Sequence, residues 1–319
     1  MKLSLIGVGA LAATALAVAC SSSGDPASPP PPAPPPAPSA DAGATPDAEA
    51  IDPRLDGRPY TVTVPPGYDA AKPAPLVLAF HGYGDGDDGA LLEKYFKIAP
   101  VANAEGFLYV APDGTKDKRG QRFWNGTDVC CDFYQAKPDD VAYVRALVAD
   151  VARKYTVDPK RIYAIGLSGG GVFVHRLACE APDLFAAIVS VSGATWKDPA
   201  RCAPSQGVAL AEIHGDLDDT VAYDGGRMVY GKIDAEYPSA KEGMSHWATY
   251  QKCAATPTAA GTVDLVSTVE GAETQIERWE GCERGAVELW TMRGAVHAPL
   301  FVKGFAATLW SFLRAHPKP

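Results

Sequence analysis

Residues 166–170 read Gly-Leu-Ser-Gly-Gly, so Ser168 sits in the spacing G-x-S-x-G. The run before it, RIYAIGL at 161–167, is apolar and β-branched in the manner of a buried strand, and the run after it, VFVHRLACE, continues in a helical pattern. Glycines so placed serve where a side chain would collide or where φ must be positive. A serine on such a strand-to-helix turn projects clear of the backbone, and the helix behind it aims its first N–H groups at the same spot. That position suits nucleophilic attack on an acyl carbon. A hydroxyl is a poor nucleophile until a base accepts its proton, so the chain must also supply a histidine and a carboxylate that orients it.

For a serine on this kind of turn the acid comes next along the chain and the histidine last. After Ser168, EIHGDLDDTVAYDGG at 212–226 follows a buried-type strand and offers Asp216, Asp218 and Asp219. Further on, TMRGAVHAPL at 291–300 places His297 on a loop between a strand and the last helix. His214 is a weaker base because it lies at a strand end beside the acids, and His246 falls within a helical pattern. His81, His175 and His316 lie on the wrong side of that order or in helical segments. The tetrahedral intermediate needs N–H donors aimed at its oxyanion. The backbone of Gly169 supplies one, and Tyr83, on the glycine-rich loop LAFHGYGDGDDG at 78–89, is expected to supply the second.

Holding these residues together requires a sheet. YTVTV at 60–64 alternates and reads as an outer antiparallel strand. The runs at 76–80, 107–111, 161–167, 187–192, 208–214 and 286–292 are short and nearly all apolar, which suits strands buried on both faces of a mainly parallel sheet. Helices are expected at 139–155, 245–254 and 305–316. The first opens on Asp139 and Asp140 and closes on Arg153 and Lys154, charges that complement a helix dipole. Strand alternating with helix predicts an α/β fold with a doubly wound, mainly parallel sheet and helices on both faces.

The chain has 319 residues and opens with Lys2 and an uncharged apolar run to Ala19. LAVAC at 16–20 has the look of a lipobox, so residues 1–19 are expected to be a signal peptide and Cys20 the site of lipidation. Residues 20–50 are rich in proline and alanine, cannot bury a core, and are expected to form an extended tether. The globular domain then runs over 51–319. A net charge of −9 argues against nucleic acid as a partner. Beyond Cys20 there are six cysteines, an even number consistent with disulfides in an exported chain, and no spacing that suits a metal. Cys253 and Cys282 are expected to pair. Cys130 and Cys131 either bond to each other or separately to Cys179 and Cys202.

The segments AFHGYG, FWNGTDVCCDF, VDPKRIYAIGLSGGG, HGDLDDTVAYDGG and GAVHAP, in this order, resemble the secreted polyhydroxybutyrate depolymerase and feruloyl esterase group of α/β-hydrolases. The resemblance extends from Tyr60 almost to the C-terminus. It implies an α/β-hydrolase fold, selects Asp218 as the acid and His297 as the base, sets Trp124 and Asn125 near the pocket, and makes the Cys130–Cys131 pair structural. The expected activity is that of an extracellular serine carboxylic ester hydrolase working through an acyl-enzyme on Ser168. It would need no cofactor, and its substrate would be a hydroxyalkanoate oligomer or an ester of plant polysaccharide. Its contact with a membrane would be through the lipid anchor alone. A serine peptidase, or a catalytically silent binding protein on the same scaffold, are the alternatives.

Overall fold

The computed structural model describes residues 52–58, 60–84, 86 and 88–319. The expected signal peptide, the lipidation site Cys20 and the tether lie outside the described residues.

Nine strands form the central sheet among the described residues. In chain order they are β1 (Val62–Thr63), β2 (Ala74–Phe80), β3 (Leu108–Val110), β6 (Val157–Leu167), β7 (Ala187–Val191), β8 (Ala209–Gly215), β11 (Thr258–Val263), β12 (Thr274–Trp279) and β13 (Val287–Met292). The spatial order is β1-β3-β2-β6-β7-β8-β13-β12-β11. Every pair from β3 through β13 is parallel, whereas β1 at one edge and β12 and β11 at the other are antiparallel. Two small antiparallel ribbons stand apart: β4 (Thr115–Lys116) with β5 (Arg122–Phe123), and β9 (Gly226–Tyr230) with β10 (Ile233–Tyr237).

The parallel strands are mainly apolar where helices cover both faces, with Glu212 and His214 of β8 and Glu288 of β13 among the buried polar exceptions. Successive residues of β2 make the point. Leu76, Leu78 and Phe80 pack with α3 (Asp140–Lys154), α4 (Gly169–Glu180) and α5 (Ala240–Gln251), while Val77 and Ala79 pack with α1 (Gly89–Phe96), α2 (Ile98–Glu105) and α6 (Phe305–Arg314). Helix α3 starts where the charges predict, with the Asp139 carboxylate accepting from the Ala142 N–H. Helix α5 starts five residues before the sequence-based expectation. Ser239 caps it by accepting from the Glu242 N–H, and Ser239-x-x-Glu242 is a capping-box spacing.

Parallel strands send all their C-terminal ends to one edge of the sheet, and ligands of open α/β sheets bind there. Tyr83 follows β2, Ser168 follows β6, Asp218 follows β8 and His297 follows β13, so one edge carries all four.

Candidate active site

Ser168 stands between β6 and α4 with φ 53° and ψ −116°, a left-handed region that a side chain occupies at a cost of about 1–3 kcal/mol. The surrounding backbone holds it there. Its N–H donates to the Val191 carbonyl at 2.8 Å, and the turn is so tight that a Cβ on Gly166 would land on the Gly170 carbonyl oxygen. The Ser168 hydroxyl caps no helix N–H and is left to His297, whose Nε2 lies 2.8 Å from Oγ.

His297 arrives on the loop after β13. Asp216 pins the start of that loop by accepting from the Gly294 N–H at 2.7 Å, and Ser192 Oγ donates to the carbonyl of His297 itself at 2.8 Å. The Nδ1 of His297 lies 2.7 Å from Asp218 Oδ2. The other carboxylate oxygen of Asp218 accepts from the N–H groups of Thr220 and Val221, both at 2.9 Å. Of the three aspartates competing in the sequence, Asp218 alone reaches the histidine. Asp216 holds the loop, and Asp219 is exposed, in contact with the hydroxyl of Thr220. Burial works against the charge on Asp218, yet hydrogen bonds from His214 and His297 keep its carboxyl well below the usual range.

Gly169 is the first residue of α4, so its N–H has no acceptor within the helix. The backbone nitrogen of Tyr83 lies 3.5 Å from the point where a Cβ of Gly169 would stand, so both proposed oxyanion donors belong to one small region. The third wall of that region was not legible in the sequence. Cys130 and Cys131 are bonded to each other, and Cys131 Sγ lies 2.5 Å from the same Cβ position. The four other cysteines among the described residues pair as Cys179–Cys202 and Cys253–Cys282.

Beside the serine lies an apolar cavity of about 220 Å³ lined by His81, Gly82, Leu91, Leu92, Tyr95, Leu167 and Ala298. Burial pushes His81 down to about 4, and its Nε2 accepts from the Gly114 N–H, so it is neutral at pH 7. The ring of Tyr83 meets Phe133 edge-on at 4.8 Å, and Tyr230 from β9 packs on Phe133 at 4.7 Å. Neither helix α1 nor the β9–β10 ribbon was singled out from sequence. The leucine pair at 91–92 on an amphipathic stretch was the available signal for the first.

Trp124 and Asn125 belong to the scaffold under the site. Trp124 is fully buried, stacked on Phe173 at 5.2 Å and edge-on to Phe80, so it presents no surface to a substrate in this structure. Asn125 is committed in the same way: its side-chain amide donates to the Pro138 carbonyl and its backbone N–H to Asp140. Asp140 is itself buried and paired with Arg58 at 2.7 Å.

Behind Asp218 a further set of polar side chains is buried on β8 and its covering helices. Glu212 and His214 share the face that looks toward α4 and α5, as residues two apart on a strand must. His214 reaches Glu212 through Nδ1 at 3.0 Å and Asp218 through Nε2 at 3.2 Å.

A serine, a histidine and an aspartate hydrogen-bonded in series beside two backbone donors can carry out acyl transfer. Feruloyl esterase B of Piromyces equi is 28% identical over 268 residues, which are 82% of this chain and 46% of that protein. Feruloyl esterase C of Emericella nidulans is 28% identical over 183 residues, 54% of this chain and 59% of that one. The chain thus spans about half the length of these relatives. Among solved structures, an acetyl xylan esterase from Aspergillus awamori shares the fold at a TM-score of 0.57 and 15% identity, over 80% of this chain and 94% of that one. Residues 58–222, which hold Tyr83, the serine turn and Asp218, match the profile of the family described as Esterase PHB depolymerase, and the chain belongs to that family.

Proposed function

We propose that the chain is a serine carboxylic ester hydrolase. The observation that carries this reading is the unbroken series Ser168 Oγ, His297 Nε2, His297 Nδ1, Asp218 Oδ2, with links of 2.8 and 2.7 Å. Ser168 attacks the ester carbonyl while its proton passes to His297 Nε2. The oxyanion faces the N–H groups of Tyr83 and Gly169. Collapse expels the alcohol, which takes the proton back from His297, and leaves the acyl group on Ser168. Water activated by the same imidazole then releases the acid. Asp218 keeps the imidazole in the tautomer with Nε2 free and stabilises its cationic form.

The cavity lined by Leu91, Leu92, Tyr95 and Leu167 is apolar, touches the residues that precede Ser168 and follow His297, and is fit for a compact apolar acyl group. A feruloyl or hydroxybutyryl ester meets that description, and the feruloyl activity named for two relatives favours the first. A fluorophosphonate probe should label the folded protein on Ser168 alone. In a panel of methyl ferulate, hydroxybutyrate oligomers, acetylated xylan and short p-nitrophenyl esters, methyl ferulate should be hydrolysed. Absence of labelling in folded protein would remove the reading.

The same reading sets the domain outside the cytoplasm, tethered through lipidated Cys20. Its support is the LAVAC sequence at 16–20 together with three disulfides, which persist in oxidising compartments. No helix among the described residues is long and apolar enough to cross a membrane. Expressing cells fed a palmitate analogue should tag the protein, and Cys20→Ser should abolish the tag. A freely released, untagged protein would rule out the anchor.

A further inference from the structure

Asp218 faces two imidazoles, and the acyl-transfer reading uses only one. On its far side the polar groups continue inward without a break. His214 places Nε2 3.2 Å from Asp218 Oδ2 and 2.7 Å from the Val221 carbonyl, and its Nδ1 lies 3.0 Å from Glu212 Oε1. Glu212 Oε1 also accepts from the Gly193 N–H at 3.1 Å, and Oε2 lies 3.0 Å from His175 Nε2. His175 Nδ1 lies 3.0 Å from Trp247 Nε1, where the series ends. The side chains of His175, Glu212 and His214 are each no more than 3% exposed, so water does not stand in for a missing partner.

The protons in this series can be assigned from the inner end. An indole nitrogen only donates, so His175 Nδ1 must accept from Trp247 and carry no proton. His175 Nε2 therefore bears the proton and donates to Glu212. Glu212 receives the Gly193 N–H as well, which fits a carboxylate. His214 then has an ionised carboxylate on its Nδ1 side, and a carbonyl and a second carboxylate on its Nε2 side. Both nitrogens face acceptors, so both must carry protons.

We propose that His214, held doubly protonated between Glu212 and Asp218, is a positioning residue for the triad: a standing cation that fixes the Asp218 carboxylate and offsets its charge against His297. The inference rests on the ester hydrolase reading for its kinetic consequence and on the hydrogen-bond chemistry alone for its protonation state. Glu212, His214 and Asp218 together carry one net negative charge, and that charge is cancelled when His297 takes the serine proton. Without the His214 cation the same cluster would carry two negative charges and would draw a proton onto His297 before substrate arrives. Burial works against the charge on His214, but Asp218 and Glu212 hold it up at about 10. The other titratable groups around it are His297 and His175, each one residue further along the series, and Tyr223, whose ring stands edge-on at 5.7 Å with its hydroxyl engaged by Thr291.

The test has two arms on the full chain. In the first, nitrogen NMR of ¹⁵N-histidine-labelled protein should show both ring nitrogens of His214 protonated at pH 7 and His175 as the Nε2–H tautomer. A neutral His214 at pH 7 would overturn the proposal, and this arm needs neither activity nor a variant. In the second, His214→Gln keeps a donor toward Asp218 and removes the charge. The acidic limb of its kcat/KM profile on p-nitrophenyl acetate should move up by about one pH unit, making it about tenfold slower than wild type below the limb, with KM little changed. A rate loss at all pH values with an unmoved limb would mean that His214 only packs. Failure of the wild type to hydrolyse esters would instead remove the ester hydrolase reading and leave the NMR result to decide the protonation.

Discussion

Asp218→Asn should lower kcat on a p-nitrophenyl ester by about 10⁴-fold at neutral pH while the protein still folds. The reason is which end of the amide faces the histidine. Oδ1 of Asp218 accepts two backbone N–H groups, from Thr220 and Val221. An asparagine would keep its oxygen there, which turns its NH₂ toward His297. Two donors cannot face each other, so His297 would adopt the tautomer with its proton on Nε2 and present Ser168 with an N–H in place of a lone pair. The same NH₂ would also confront the Nε2–H of His214, so some stability should be lost as well, about 1–3 kcal/mol for a frustrated buried donor. The neighbouring acids make the control. Asp216→Asn keeps an oxygen for the Gly294 N–H and should cost less than about tenfold by loosening the His297 loop, and Asp219→Asn should leave kcat near wild type. If either of these variants is as slow as Asp218→Asn, or if Asp218→Asn keeps a tenth of wild-type kcat, the triad is wrongly assigned.

The contrast between Asp218 and its neighbours marks the border of what the residues alone make legible. The serine turn was legible because its demands are local: a strand, a crowded turn and a helix follow one another over RIYAIGLSGGG. The parallel strands were legible because burial on both faces leaves apolar runs. Choosing among Asp216, Asp218 and Asp219 needed the resemblance, since all three sit within four residues on one loop. What was not read depends on contacts distant in sequence. Helices α1 and α2 are eight residues each and joined through Lys97 at φ 58°, too short and too abruptly broken to show a long period. Strand β9 is mostly exposed and its sequence GRMVY does not alternate, whereas β10, IDAEY, alternates apolar and polar over only five residues, a signal too short to stand out. Its place at a strand end argues against His214 as the base. That place is what buries it, and the charged residue two positions earlier on the same face, Glu212, was the signal that the strand carries more than core.

Gly170→Ala should be severely damaging, as a methyl there meets the backbone of two residues at once. A Cβ there would land on the carbonyl oxygen of Phe80 and lie 2.7 Å from the carbonyl oxygen of His81. Both obstacles are backbone and cannot rotate away. Phe80 is the last residue of β2, registered against Gly166 of β6, so the end of β2, the end of β6 and the first turn of α4 meet at one point. Relief would require α4 to move off the sheet by an appreciable fraction of an ångström, taking Ser168 with it, or β2 to move and carry Tyr83. The loss of stability should be about 3 kcal/mol or more, read as a lowered urea midpoint or as insoluble expression. Any protein that folds should be slower by about 100-fold, because an error near 1 Å in the placement of a nucleophile costs that much. Gly304→Ala, at φ −83° with open space around its Cβ position, is the matched control and should lie within about 1 kcal/mol of wild type. A Gly170→Ala protein as stable and as active as that control would show that α4 and β2 are not in the close contact from which Ser168 and the N–H groups of Tyr83 and Gly169 take their positions.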